Sequence, residues 1–196
     1  MKERINKHNS VQNKTAFITG ATSGIGEATA DHLTNKPVPS VTLNTTDRAT
    51  VDLSNITGRV VVYCFPKMGR SADEKDPDGW SQIPGAYGCT QESCSFRDHY
   101  QELRDLGVNE VFGLSLQSIN HQREARDRVQ LPFELLSDVD HEFTNQLQLP
   151  TFEVEGETYH KRLTMVLADG TIEHVFYPVF PPDEHANEVV EWLTKY

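Results

Sequence analysis

The run Val60-Val61-Val62-Tyr63-Cys64-Phe65-Pro66 is apolar almost throughout, and it limits the possible folds more than any other feature of the chain. A strand with one wet face alternates apolar and polar residues, whereas an unbroken run of this kind is expected of a strand covered on both faces. A second such run, Val111 to Leu116 (VFGLSL), lies further along. Between them the spacing predicts a helix from about Thr90 to Leu106, with Phe96, Tyr100, Leu103 and Leu106 on one face and Gly107 ending it. A polar helix is expected at Ile119–Val129, a strand at Phe133–Leu136 and a short helix at His141–Leu147. Two more strands, Leu163–Leu167 and Ile172–Phe176, flank the hairpin signal Asp169-Gly170, and a last helix runs from Asp183 to Leu193. This order predicts an α/β sandwich whose central mixed sheet, partly parallel and partly antiparallel, is flanked by helices. Upstream, Val41–Leu43 and Thr50–Leu53 predict a small hairpin around Thr46-Asp47. Lys67 to Gly85 is polar and rich in Gly, Pro and Asp, and reads as a long loop of the kind that is often functional.

Charge removes several classes of function. With 18 basic and 29 acidic side chains the formal net charge is −11, and no basic stripe offsets it. Such a chain repels phosphate backbones, so neither nucleic acid nor an anionic membrane is expected as a partner. No apolar run approaches the ~20 residues that span a bilayer. The start, MKERINKHNSVQNK, is polar and does not read as a signal peptide, so a cytoplasmic location is expected. Three cysteines are too few for a disulfide scaffold in 196 residues, and a reducing compartment favours a catalytic or redox role for them.

Two of those cysteines lie in Gly88-Cys89-Thr90-Gln91-Glu92-Ser93-Cys94-Ser95-Phe96-Arg97-Asp98, where the loop meets the predicted helix. A thiol reacts as its thiolate, and a helix N-terminus lowers a cysteine pKa, an effect largest at Cys89. Five residues of helix rise about 7.5 Å and turn by about 140°, while disulfides rarely bridge Cα atoms more than about 7 Å apart. Cys89 and Cys94 therefore bond only if the first helical turns unwind. Spacing and position alone leave open the plainer reading of two buried cysteines. A zinc site is disfavoured, because none of the eight histidines falls at ligand-like spacing beside them. Cys64, inside the apolar strand, reads as a small core residue.

These segments together carry a resemblance. VVVYCFPK, GCTQESCSFRDHY, VFGLSL, LPFELLSD and KRLTMVLADGTIEHVF resemble the peroxiredoxins, most nearly the Q or bacterioferritin-comigratory subgroup of the AhpC/TSA superfamily, over Val38 to Leu193. The resemblance implies a thioredoxin-like fold and reduction of hydrogen peroxide or organic hydroperoxides, with no metal or organic cofactor. By the same matching Cys89 is the peroxidatic cysteine, Cys94 the resolving cysteine, and Arg162 the arginine that faces the peroxidatic sulfur. A guanidinium there favours the thiolate and holds peroxide oxygens as charge develops, although without the resemblance Arg162 reads as a strand-end surface charge. Gly88, Pro84 and Thr90 are the substrate-positioning candidates, and the backbone N–H groups of Gly88 and Cys89 are possible donors to peroxide. The family motif carries a proline seven residues before the cysteine and a threonine three before it. Here those positions hold Gln82 and Ala86, with Pro66 or Pro84 as stand-ins for the proline. Glu92 opposes the thiolate if it points at Cys89, or else caps the helix. The implied cycle runs from a Cys89 sulfenic acid to a Cys89–Cys94 disulfide, which a thioredoxin-like or other dithiol reduces. A resolving cysteine on the same chain implies a monomer.

A second motif precedes all of this. Thr19-Gly20-Ala21-Thr22-Ser23-Gly24-Ile25-Gly26 follows a predicted strand and opens a predicted helix, the setting of a dinucleotide-binding turn. TAFITGATSGIGEATA resembles the start of a short-chain dehydrogenase/reductase, making Gly20, Gly24 and Gly26 candidate cofactor-binding residues. There is no room before residue 60 for the remaining strand-helix units of that fold. Tyr63 and Lys67 have that family's spacing but fall on a strand and its exit, where a helix is required. Residues 1–34 are thus expected to be an N-terminal extension carrying a fragment of that motif, and 35–196 the peroxidase domain. The competing functions are a nicotinamide-dependent reductase and a non-catalytic binding module on a thioredoxin-like scaffold.

Overall fold

The computed structural model describes residues 23–69 and 74–196. In chain order the elements are α1 (Ser23–Leu33), β1 (Thr42–Thr45), β2 (Thr50–Asp52), β3 (Arg59–Cys64), α2 (Cys89–Asp98), α3 (Tyr100–Asp105), β4 (Val108–Ser115) and α4 (Ile119–Val129). They continue with β5 (Glu134–Ser137), α5 (Glu142–Leu147), β6 (Thr151–Val154), β7 (Glu157–His160), β8 (Leu163–Ala168), β9 (Thr171–Phe176) and α6 (His185–Leu193). Seven strands form one sheet in the order β2-β1-β5-β4-β3-β8-β9. Strands β3, β4 and β5 run parallel, and the outer pairings are antiparallel, which is the mixed sheet expected.

The apolar run of β3 accounts for the layering. Val61 and Tyr63 face a core closed by α2, α3, α4 and α6, through Phe96, Leu103, Val129 and Val189. Val60, Val62 and Cys64 face the opposite core, closed by α1 and α5 through Leu33, Phe143 and Leu147. Each face of the strand thus meets its own helical layer, and Cys64 is a buried core residue.

Two details depart from the expected pattern. The single helix expected from Thr90 to Leu106 is two, α2 and α3, broken at His99. There the ring Nδ1 lies 2.9 Å from the Ser95 carbonyl, which the His99 amide also uses. The apolar face survives the break, with Phe96 and Leu103 fully buried. A hairpin absent from the expected elements, β6–β7, forms a second small sheet; its turn residues Glu155 and Gly156 both have positive φ, 52° and 82°. Phe152 and Tyr159 of that hairpin pack against Trp80, which fixes the loop that precedes the cysteines.

The N-terminal motif falls partly outside the described residues, including the expected strand and Gly20. Gly24 lies in the first turn of α1. At Gly26 a Cβ would sit 2.8 Å from Pro178 Cδ, so this glycine lets α1 lie close against the segment after β9. Its role in the fold is close packing against protein. Leu33, at the end of the helix, is fully buried.

Candidate active site

Helix α2 starts at Cys89 because Gly88 turns the chain into it with φ of +101°, a left-handed conformation that suits glycine. A Cβ at Gly88 would also collide with the ring of Pro182. The first amides of a helix have no partner within it, so the Cys89 and Thr90 N–H groups open α2 beside the sulfur. The sulfur itself is buried, with Cys89 4% exposed.

Three groups meet the sulfur. Arg162 Nη2 donates to Cys89 Sγ at 3.3 Å, and the thiol lies 3.7 Å from the Ala86 carbonyl as its donor. The Lys67 backbone N–H also donates to the sulfur. Arg162 is held by the same segment, since its Nη2 donates to the carbonyls of Gly85 at 3.1 Å and Tyr87 at 3.0 Å. Its Nη1 donates to Glu92 Oε2 in an ion pair whose two side chains are 2% and 0% exposed. Glu92 is three residues after Cys89, which places both on one side of α2.

Electrostatics at the sulfur oppose one another. Burial pushes the Cys89 thiol above its ordinary value, the Arg162 charge and the Lys67 N–H pull it down, and Glu92 pushes it up. The helix start was expected to lower it. In the folded, reduced chain the loss of water around the sulfur outweighs that effect. Burial likewise pushes the Glu92 carboxyl up, against the pull of Arg162 and then His185.

The structure brings Cys89, Arg162, Gly88 and Thr90 together at one end of α2. Arg162 is 3% exposed, so it is not a surface charge. Pro84 is exposed in the approaching loop, and the backbone of its neighbours Gly85 and Tyr87 makes the contacts to Arg162. Gln82 is exposed as well, while Pro66 is buried next to Lys67, whose amide reaches the sulfur. Ala86, at the position of the family threonine, is 1% exposed and packs with Trp80 and Val154; it offers the site a carbonyl and no hydroxyl. Cys94 lies half-buried on the intact helix, packed against the core and within reach of Arg97, and all three cysteines are free thiols. Sequence reasoning missed the pairing of Glu92 with Arg162. The spacing from Cys89 was the available signal, but it does not distinguish an ion pair from a helix cap.

The chain matches the Redoxin family model over residues 33–191. It is 32% identical to peroxiredoxin Bcp of Escherichia coli, over 81% of this chain and 93% of that one. It is also 32% identical to a chloroplastic peroxiredoxin Q of rice (Oryza sativa subsp. japonica), over 79% of this chain, and it spans 64% of the length of that relative. The fold is that of peroxidoxin BcpB from Mycobacterium tuberculosis, with TM-score 0.65 at 23% identity, covering 83% of this chain and 97% of that one. Sequence match and fold agree: the chain belongs to the redoxin family, in its peroxiredoxin Q/Bcp subgroup.

Proposed function

We propose that the protein is a thiol peroxidase in which Cys89 attacks hydrogen peroxide or an organic hydroperoxide and Cys94 resolves the product. The observation that carries this reading is the Arg162 guanidinium 3.3 Å from Cys89 Sγ inside a buried site. Ionised Cys89 attacks the nearer peroxide oxygen, so an S–O bond forms as the O–O bond breaks. The departing hydroxide or alkoxide takes up a proton and leaves as water or alcohol, and Cys89 is left as a sulfenic acid. Arg162 holds the negative charge as it moves from sulfur to oxygen, and the Cys89 and Thr90 amides at the head of α2 are further donors to it. With Ala86 in place of a hydroxyl, positioning of the peroxide falls to these N–H donors.

The first turns of α2 then unwind, and Cys94 displaces water from the sulfenic acid to give a disulfide. A thioredoxin-like or other dithiol supplies two electrons and two protons to restore both thiols. No metal or organic cofactor enters this cycle, and a single chain completes it as a monomer. Three cysteines in a chain of this length suit a reducing compartment, for which we propose the cytoplasm. Among the described residues no helix is long and apolar enough to cross a membrane. We assign the chemistry to residues 35–196 and treat 1–34 as an extension. The test is whether hydroperoxide converts the reduced chain to a Cys89–Cys94 disulfide and whether Cys89→Ser abolishes that conversion.

A further inference from the structure

The buried cluster around Cys89 carries one guanidinium and two groups that become anionic. Arg162 is already paired with Glu92, and all three side chains are buried. Ionising Cys89 beside an ionised Glu92 leaves a net negative charge out of water, which is costly unless a further positive charge or a proton compensates it. Among the described residues the buried Glu92 Oε1 has no hydrogen-bond partner, so this carboxyl has a position for a proton.

His185 occupies the adjoining position. Arg162 stands just before β8, two residues ahead of Thr164 in that strand; Glu92 and Phe96 are one turn apart on α2. His185, 1% exposed, touches the second member of each pair. Its Nε2 lies 2.8 Å from Thr164 Oγ1, and its ring meets Phe96 edge-on at 5.7 Å. It neighbours the Arg162–Glu92 pair through Thr164 and Phe96, and a positive charge on its ring would pull the Glu92 carboxyl down. The other groups facing it are Glu188 on its own helix, with Oε2 3.1 Å from Nδ1, and the uncharged ring of Phe176 on β9.

The partners of His185 suit either protonation state. With Nδ1–H donating to Glu188, Nε2 accepts from the Thr164 hydroxyl when the ring is neutral and donates to it when the ring is charged. Glu188 is 60% exposed, and it lines with His185 and Phe180 a surface cleft of about 260 Å³, so protons reach the ring from solvent.

We propose that His185 is a positioning residue for the Cys89 chemistry: with Glu92 it forms a buried pair that holds one proton while Cys89 is ionised, which keeps the cluster neutral. The proton lost by the Cys89 thiol is matched by one on the pair. After the S–O bond forms and the O–O bond breaks, the departing oxygen takes a proton from solvent, and the pair returns its own through the Glu188 cleft. This rests on Cys89 being the reactive thiol proposed above.

The test is the rate at which iodoacetamide alkylates Cys89 in the reduced full-length chain, read by peptide mass mapping from about pH 5 to about pH 10. His185→Gln should slow Cys89 about tenfold near neutral pH, the equivalent of one pKa unit. In a Glu92→Gln background, where the second anion is gone, the same change should alter the rate less than about twofold. Glu188→Gln, on the surface, should slow Cys89 in the same direction by a smaller factor. Equal rates for wild type and His185→Gln would overturn the proposal, as would equal slowing with and without Glu92. Alkylation does not require peroxidase turnover, so a chain inert to hydroperoxide that still shows the coupling would count against the proposed function alone.

Discussion

Cys89, Arg162 and Glu92 form one electrostatic unit in which each member depends on the others. Removing the guanidinium leaves the buried Glu92 carboxyl without its ion-pair partner, a change that typically costs about 3–5 kcal/mol. Arg162→Met should therefore destabilise the chain by about that much in urea unfolding, and adding Glu92→Gln should restore most of it, because a neutral amide no longer needs the charge. Cys89 and Arg162 were legible in the sequence as family matches. The partner of Arg162 was not, because an ion pair between residues 70 apart in the chain leaves no local pattern. Ala86 was visible as a departure, but only the packed structure shows its methyl in an apolar cluster with Trp80 while its carbonyl faces the thiol.

At the scale of elements, α2 combines the site and its moving part. Gly88 sets its first turn under two constraints, the positive φ and the Pro182 ring against its Cα. Gly88→Ala should lower stability by at least about 1–2 kcal/mol, the cost of a left-handed alanine, measured by urea unfolding with oxidised and reduced chains compared. The cost should fall in the oxidised chain, because the proposed cycle unwinds this turn. The break at His99 escaped the sequence reading because the apolar spacing continues through it and a side chain, not a proline or glycine, ends the helix. The β6–β7 hairpin was missed because its turn is Glu-Gly, which lacks the usual Asn or Asp before the glycine.

At the scale of the molecule, the two-sided apolar strand and the order of elements made the layered sheet legible, because burial on both faces is written in the composition of β3 itself. The glycine motif near the start was legible as a motif, and within the described residues Gly26 serves close packing of α1 on Pro178. Long-range polar networks were invisible. One ties α5 to β7, where Asp138 accepts from the Phe143 and Thr144 amides and from the Thr144 hydroxyl, which lies 2.7 Å from His160 Nε2. Burial lowers the His160 pKa from 6.5 to about 4. As pH falls below 6.5 the unfolded chain takes up the proton first, so stability present above 6.5 is lost progressively toward 4. That loss amounts to about 3 kcal/mol. His160→Gln should flatten this part of the profile when urea unfolding is compared at about pH 7 and about pH 4.5.

The most direct measurement of the central claim is the intact mass of the reduced chain after one equivalent of hydrogen peroxide, beside Cys89→Ser and Cys94→Ser. The expected result is loss of two hydrogens in the wild type and in neither variant, with one added oxygen retained in Cys94→Ser alone. A wild-type mass that does not change, or an oxygen retained in Cys89→Ser, would contradict attack by Cys89 and resolution by Cys94.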